Sequence, residues 1–154
     1  MDSTLINQFV HATIETFQMM IGITPSMSGR PYLQQEASSS EEISAIIGLS
    51  GHLQGGVALR FGKDVASGLV QAMLKMEEAP LEADVLDGVG EIANIVAGAL
   101  KGAVGRSDVS ISLPQVVLSQ GHRLHYSVKM PSLVVPFTCD MGPFQIEVQA
   151  IRSA

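Results

Sequence analysis

At 154 residues the chain is one ordinary domain's length, enough to withdraw about 70% of its unfolded surface from water. Hydrophobic residues make up 46% of it and charged residues only 16%, below the roughly 25% of soluble domains, which excludes disorder and implies surface hidden against a partner. Nine Lys and Arg against fifteen Asp and Glu leave a net charge of −6, so the chain lacks the basic footprint that nucleic acid binding needs. Residues 3 to about 21 place Leu5, Ile6, Phe9, Val10, Phe17 and Met20 at helical spacing, with Ser3 as N-cap and Gly22 as the stop. A connector with Pro25, Pro31 and Ser38-Ser39-Ser40 follows, holding a short edge strand near Tyr32 and Leu33. A hairpin is predicted over residues 43–61, turning between Gly51 and Gly55. In its second strand Val57, Leu59 and Phe61 alternate with Ala58 and Arg60, the pattern of a half-buried strand. Asp64 is placed to cap a second helix running through Met76. After the break at Glu77 to Pro80, a longer helix is predicted from about Leu81 to Val104, and strands fill the rest. Phe144 to Gln149 alternates cleanly, as does Leu124-Tyr126-Val128-Met130. No helix separates these last strands, so an α+β fold with a largely antiparallel sheet is expected over a single domain, residues 1–154.

The segment Gly48 to Leu59 is similar to Pro136 through Ile146. Both read as an apolar strand end, a Ser or Thr, a glycine-bearing turn and a returning amphipathic strand. A duplicated helix-plus-strands unit explains this; chance similarity between two hairpins is the alternative.

The long third helix carries the chemistry. Val85, Val89, Ile92, Ala93, Val96 and Leu100 form its core stripe. Opposite them run Asp84, Asp87, Glu91, Asn94, Gly98 and Lys101, spaced three and four apart, so one polar stripe keeps a constant heading. Gly88, Gly90, Gly98 and Gly102 each cost the helix about 1 kcal/mol relative to Ala, tolerable where packing or a close approach requires it. A flat surface bordered by Asp87, Ile95, Gly98 and Lys101, with Glu91 and Asn94 standing on it, suits docking of another protein. Glu91 and Asn94 lie about 4.5 Å apart along the axis and within about 60° of each other. A carboxamide both donates to and accepts from a water and so can aim it, while a carboxylate can hold a partner's lysine by a charge-assisted bond. A solvated helix face is the plainer reading of the same pair.

Asp87-Gly88-Val89-Gly90-Glu91-Ile92-Ala93-Asn94-Ile95-Val96-Ala97-Gly98 resembles the signature helix of the CheC/CheX/FliY chemotaxis phosphatases. Ile46 to Gly51, Gly55 to Leu59, Ser112 to Val117 with Gly121-His122, Val135-Pro136-Phe137 and Gly142-Pro143-Phe144 extend the resemblance over nearly the whole chain, with details nearest to CheX. It implies a twisted sheet covered by long helices. It implies also a protein phosphatase that hydrolyses the aspartyl phosphate of a CheY-like response regulator, in chemotaxis or two-component signalling. In that reading Asn94 orients the attacking water and Glu91 grips the receiver's lysine. The receiver supplies Mg²⁺, and this chain binds no cofactor or metal of its own. A cytoplasmic homodimer joined through sheet edges is expected. The alternative is a non-catalytic binding module related to flagellar motor switch proteins, and the intact Glu91/Asn94 pair favours the enzyme.

Other signals carry less. Gly88 to Ala93 fits a dinucleotide fingerprint but follows an acidic linker in place of a strand. His122 and His125, three apart on a predicted strand, point to opposite faces and cannot share a metal. Cys139 has no partner for a disulfide and no assignable base. The start, Met1-Asp2-Ser3-Thr4, is not that of a signal peptide, and the apolar run Ile95 to Leu100 is too short to span a bilayer. Sliding Asn7 to Thr13 under Gly90 to Val96 puts Gln8 opposite Glu91 and His11 opposite Asn94, so a single active site is expected.

Overall fold

Alternating and helical apolar patterns resolve into eleven elements in a computed structural model that describes residues 3–34, 41–105, 108–119 and 132–152. In chain order these are α1 (Ser3–Ile21), β1 (Ser26–Met27), β2 (Tyr32–Gln34), β3 (Ile43–Gly51), β4 (Leu53–Phe61), α2 (Lys63–Leu74), α3 (Glu82–Val104), β5 (Val109–Ile111), β6 (Gln115–Leu118), β7 (Ser132–Cys139) and β8 (Gly142–Arg152). The alternating stretch 124–130 and the pair His122 and His125 lie outside the described residues.

All strand pairings are antiparallel, in the order β1-β7-β8-β4-β3-β5, with β2 also on β7 and β6 also on β3. The order is symmetric about the central β8–β4 contact. One half is α1, two short strands and the β3–β4 hairpin; the other is α3, two short strands and the β7–β8 hairpin. Each half lends its short strands to the other's hairpin, which supports duplication over chance.

The helices cover one face of the sheet. Ile43, Ala45, Ile47, Val57, Leu59, Ile146 and Val148 point into the core they share with Leu5 and Phe9 of α1 and the buried stripe of α3. The aromatic centre is Phe144, whose ring stacks on Phe17 at 4.8 Å, on Phe137 at 5.2 Å and on Phe61 at 5.4 Å between centroids. Among the described residues, no helix is long and apolar enough to cross a membrane.

Three local expectations change. The β3–β4 turn is tighter than predicted, because Gly51 and Gly55 take φ of 88° and 135° and let the strands run almost to the tip. Helix α2 starts after an N-cap at Gly62, so Asp64 sits inside the first turn, where its charge favours the helix dipole but its side chain does not cap. It also stops earlier, at Lys75 in the left-handed conformation. Strand β4 is not half-buried: from Gly56 to Phe61 both of its faces are withdrawn from water. Its second face holds Arg60, 0% exposed, with Nη1 3.0 Å from Oε2 of Glu147 on β8 and Nε donating to Ser44 Oγ on β3 at 3.0 Å. Paired and hydrogen-bonded, the guanidinium can occupy an inward position where an unpaired charge could not.

Candidate active site

Helix α3 has a defined beginning and end, and its heading follows from its packing. It starts at Leu81 after Pro80, carries Glu82 and Asp84 in the first turn and Lys101 in the last, and ends on Gly105 at φ 71°. That distribution of charge matches the helix dipole. Its glycines divide into two kinds. A Cβ at Gly88 would lie 2.6 Å from a methyl of Val70, so this glycine lets α2 and α3 close on each other. A Cβ at Gly90 would lie 3.3 Å from Val116 Cγ2, so this one admits β6. At Gly98 and Gly102 nothing stands within 4 Å, and these positions keep surface low without serving the interior.

The expected polar stripe emerges as predicted. Glu91, Asp87 and Gly98 are exposed, and Asn94, Ile95, Asp84 and Lys101 are half-buried. Among the described residues neither the Glu91 carboxylate nor the Asn94 carboxamide has a hydrogen-bond or ion-pair partner. Both groups are therefore available to a ligand.

Asn94 stands on a saddle between two depressions. On one side a cavity of about 310 Å³ is lined by Asp87, Gly90, Glu91 and Asn94 from α3, facing Leu113, Pro114 and Val116. Among the described residues, two carboxylates and no Lys or Arg line it, so it suits a cationic group. On the other side a groove of about 590 Å³ runs between α3 and the end of α1, with Asn94, Ile95 and Gly98 facing Met19, Met20 and Ile111. Lys101, on the same stripe, lines neither depression.

The far wall of the first cavity is held by a reciprocal contact. Gly48 N donates to Ser112 Oγ at 2.8 Å, and Ser112 N donates to the Gly48 carbonyl at 2.9 Å. The Ser112 hydroxyl also donates to the Leu113 carbonyl at 3.0 Å. These bonds fix the corner between β5 and β6, which presents Leu113, 84% exposed, beside Glu91. Nothing in the sequence joins Gly48 to Ser112, and the Met19 side of the groove carries no signal there, since an exposed methionine at a helix end is unremarkable on its own; Met20 reads only as part of the apolar stripe of α1.

On α1, Gln8 Nε2 donates to the Ala103 carbonyl at 3.1 Å, and His11 Nε2 lies 3.8 Å from Glu15 Oε1. Both residues line a separate hollow with Thr4, Asn7 and Ala103. Among the described residues, no carboxylate lines that hollow, unlike the one beside Glu91. Among the described residues no three His, Cys, Asp or Glu side chains converge as metal ligands would.

Comparison with known proteins matches residues 43–138 to the family described as chemotaxis phosphatase CheX. A curated relative, the CheY-P phosphatase CheX of Thermotoga maritima, is 29% identical over 101 residues, which span 65% of this chain and 64% of that protein. A crystal structure of the chemotaxis protein CheX from Desulfovibrio desulfuricans superposes with a TM-score of 0.85 at 29% identity, covering 96% of this chain and 99% of that one. The CheX chain of a CheX–CheY–BeF₃–Mg²⁺ complex from Borrelia burgdorferi shares the fold, with a TM-score of 0.78 at 20% identity and coverage of 96% and 97%. With the family model spanning well over half of its length, this chain belongs to the chemotaxis phosphatase CheX family.

Proposed function

We propose that this chain hydrolyses the aspartyl phosphate of a phosphorylated CheY-like receiver domain. The observation that carries the reading is the pair Glu91 and Asn94, free of internal partners among the described residues and set on a side-chain-poor helix face. Phosphoryl transfer demands little covalent help from a protein; positioning and electrostatics dominate. Asn94 accepts a hydrogen bond from a water and aims its lone pair in line with the phosphorus. The water oxygen bonds to phosphorus as the bond to the aspartyl oxygen breaks. The receiver's carboxylate is restored, inorganic phosphate departs, and the water's protons pass to phosphate and solvent. Glu91, with Asp87 one turn earlier in the same cavity, takes the receiver's lysine. The relative from Borrelia burgdorferi was solved with CheY, BeF₃ and Mg²⁺ together, which supports a receiver that brings its own metal. The reaction then belongs in the cytoplasm, where such receivers work.

Phosphate release from phosphorylated CheY receivers, with and without this protein, tests the reading. Asn94→Ala should lower kcat by about 100-fold or more, the scale of losing one positioning group, with the fold intact. Wild-type turnover by that variant would refute the mechanism, and no release by the wild-type protein from any receiver would favour a binding module.

The reading extends to a homodimer. Tyr32 and Leu33, exposed on the edge strand β2, and the low charge content support pairing of sheet edges. Sedimentation should give a dimer at micromolar concentration, and a monomer there would refute it.

A further inference from the structure

The groove on the second side of Asn94 has no part in the chemistry proposed above, yet it is the larger of the two depressions at that residue, at about 590 Å³. Its walls come from separate halves of the duplicated fold. Met19 and Met20 stand on the α1 side and Ile95 and Ala99 on the α3 side, with Gly98 leaving its mouth open. Met19 is 84% exposed, a large apolar side chain held in water at the groove's edge. Thr16, only 2% exposed, also lines the groove, and its hydroxyl has no hydrogen-bond partner among the described residues. Buried hydroxyls are rarely left so, and an unanswered one beside an open hollow marks a place where something else is meant to lie.

Resting on the receiver-phosphatase reading, we infer that this groove seats an apolar side chain, with its backbone polar group, from a surface loop of the receiver. On that inference α1 supplies half of the substrate-recognition surface. The size of protein interfaces argues for this occupant. About 800 Å² per partner corresponds to a disc of roughly 16 Å radius. Gly98 lies only about 6 Å along the helix from Asn94, so a receiver that brings its phosphoryl group to Asn94 must also cover the groove. Unbranched, polarisable methionines are the apolar residues best able to mould to an inserted side chain. The groove therefore sets affinity for the receiver, and Asn94 sets the rate.

The test perturbs each wall separately and reads KM apart from kcat. Gly98→Leu fills the groove from α3, and Met19→Asp charges it from α1. Ala83→Leu is the control, since Ala83 is exposed on the same helix about 16.5 Å along it from Asn94, outside that radius, and lines no part of the groove. The probe is a CheY receiver, phosphorylated for turnover and loaded with beryllofluoride and Mg²⁺ for calorimetric titration. Gly98→Leu and Met19→Asp should each raise KM and Kd by about tenfold or more while kcat falls less than threefold, with Ala83→Leu unchanged. Wild-type KM and Kd in both groove variants, beside an inactive Asn94→Ala, would overturn the groove assignment and leave the phosphatase reading standing. Equal losses in Ala83→Leu would overturn it too, by making the effect general to the helix. A change confined to sedimentation would assign the groove to a second copy of the chain and refute the inference. An Asn94→Ala variant with full activity would instead overturn the reading on which the inference rests.

Discussion

Replacing Glu147 by Ala should destabilise the protein severely without touching its chemistry. Glu147 pairs in register with Ala58, and Arg60 lies two residues further along β4 on the same face, so the pair meets diagonally across two central strands. Arg60 is fully buried and Glu147 is 4% exposed, which leaves almost no solvent to screen a lone charge. Removing one partner of such a pair costs about 3–5 kcal/mol, because the other charge stays buried with its strongest counter-charge gone. The Ser44 hydroxyl still accepts from Arg60 Nε, and Arg60 has further contacts, so the lower end of that range applies. At about 2–4 °C per kcal/mol for a domain of this size, a 3 kcal/mol loss lowers Tm by roughly 6–12 °C.

Calorimetric melts check the figure, and the double variant Arg60→Met with Glu147→Leu separates charge from packing. Replacing both members with apolar groups of similar volume is often neutral or stabilising, so most of the lost Tm should return. Phosphate release assayed well below the melt should be unchanged for all three proteins, since the pair lies on the sheet face away from the helices. A Glu147→Ala melt within about 2 °C of wild type, or a double variant no better than the single, would refute the account of a buried charge pair.

Glu91→Ala should weaken receiver binding and slow turnover together, and a change in kcat alone would place its role in the chemical step, not in the grip on lysine. The double variant Gln8→Ala with His11→Ala should keep near-normal phosphatase activity; loss of about half the turnover with folding intact would mean that α1 carries a second working site. Both follow from the same assay that tests Asn94→Ala.

What could be read from the sequence depended on how local the determining contact is. The α3 stripe was legible because three- and four-residue spacing alone decides which side chains share a face, and β8 because strict alternation decides which residues face the helices, although Glu147 and Gln149 on its other face are buried as well. Arg60 misled for the same reason. Alternation assigned it outward, while its true setting depends on Glu147 and Ser44, which only strand register brings alongside. Asp64 carried the right residue type for a cap but stood two positions too late, since Gly62 already occupies the cap position. The glycines of α3 looked alike in sequence. Only the packing of Val70 and Val116 separates those that serve the interior from Gly98 and Gly102. The first cavity was half visible, through Asp87, Glu91 and Asn94. Its other half, Leu113 and Pro114, is held there by the Ser112–Gly48 contact, which closes a long loop in sequence.

The duplication accounts for why a symmetric scaffold carries a one-sided site. The sequence offset that sets Gln8 against Glu91 and His11 against Asn94 also sets Met19 and Met20 against Gly102 and Ala103. Around Asn94 the groove is walled by Met19 and Met20; around His11 the matching hollow is lined by Ala103. One end of the α1–α3 pair thus combines the Asn94 carboxamide, the Glu91 carboxylate and a methionine wall. The other end has an imidazole paired with Glu15, a carboxamide tied to the Ala103 carbonyl and almost no wall. Among the described residues, the free carboxamide, the carboxylate and the methionine wall lie at the Asn94 end, and no carboxylate or methionine lines the hollow at the other. Loss of the carboxylate alone would leave a docking surface without chemistry, and loss of the wall alone would leave chemistry without affinity. On the proposed reading, α1 is then free of catalysis and its far end serves as the second wall of the proposed site.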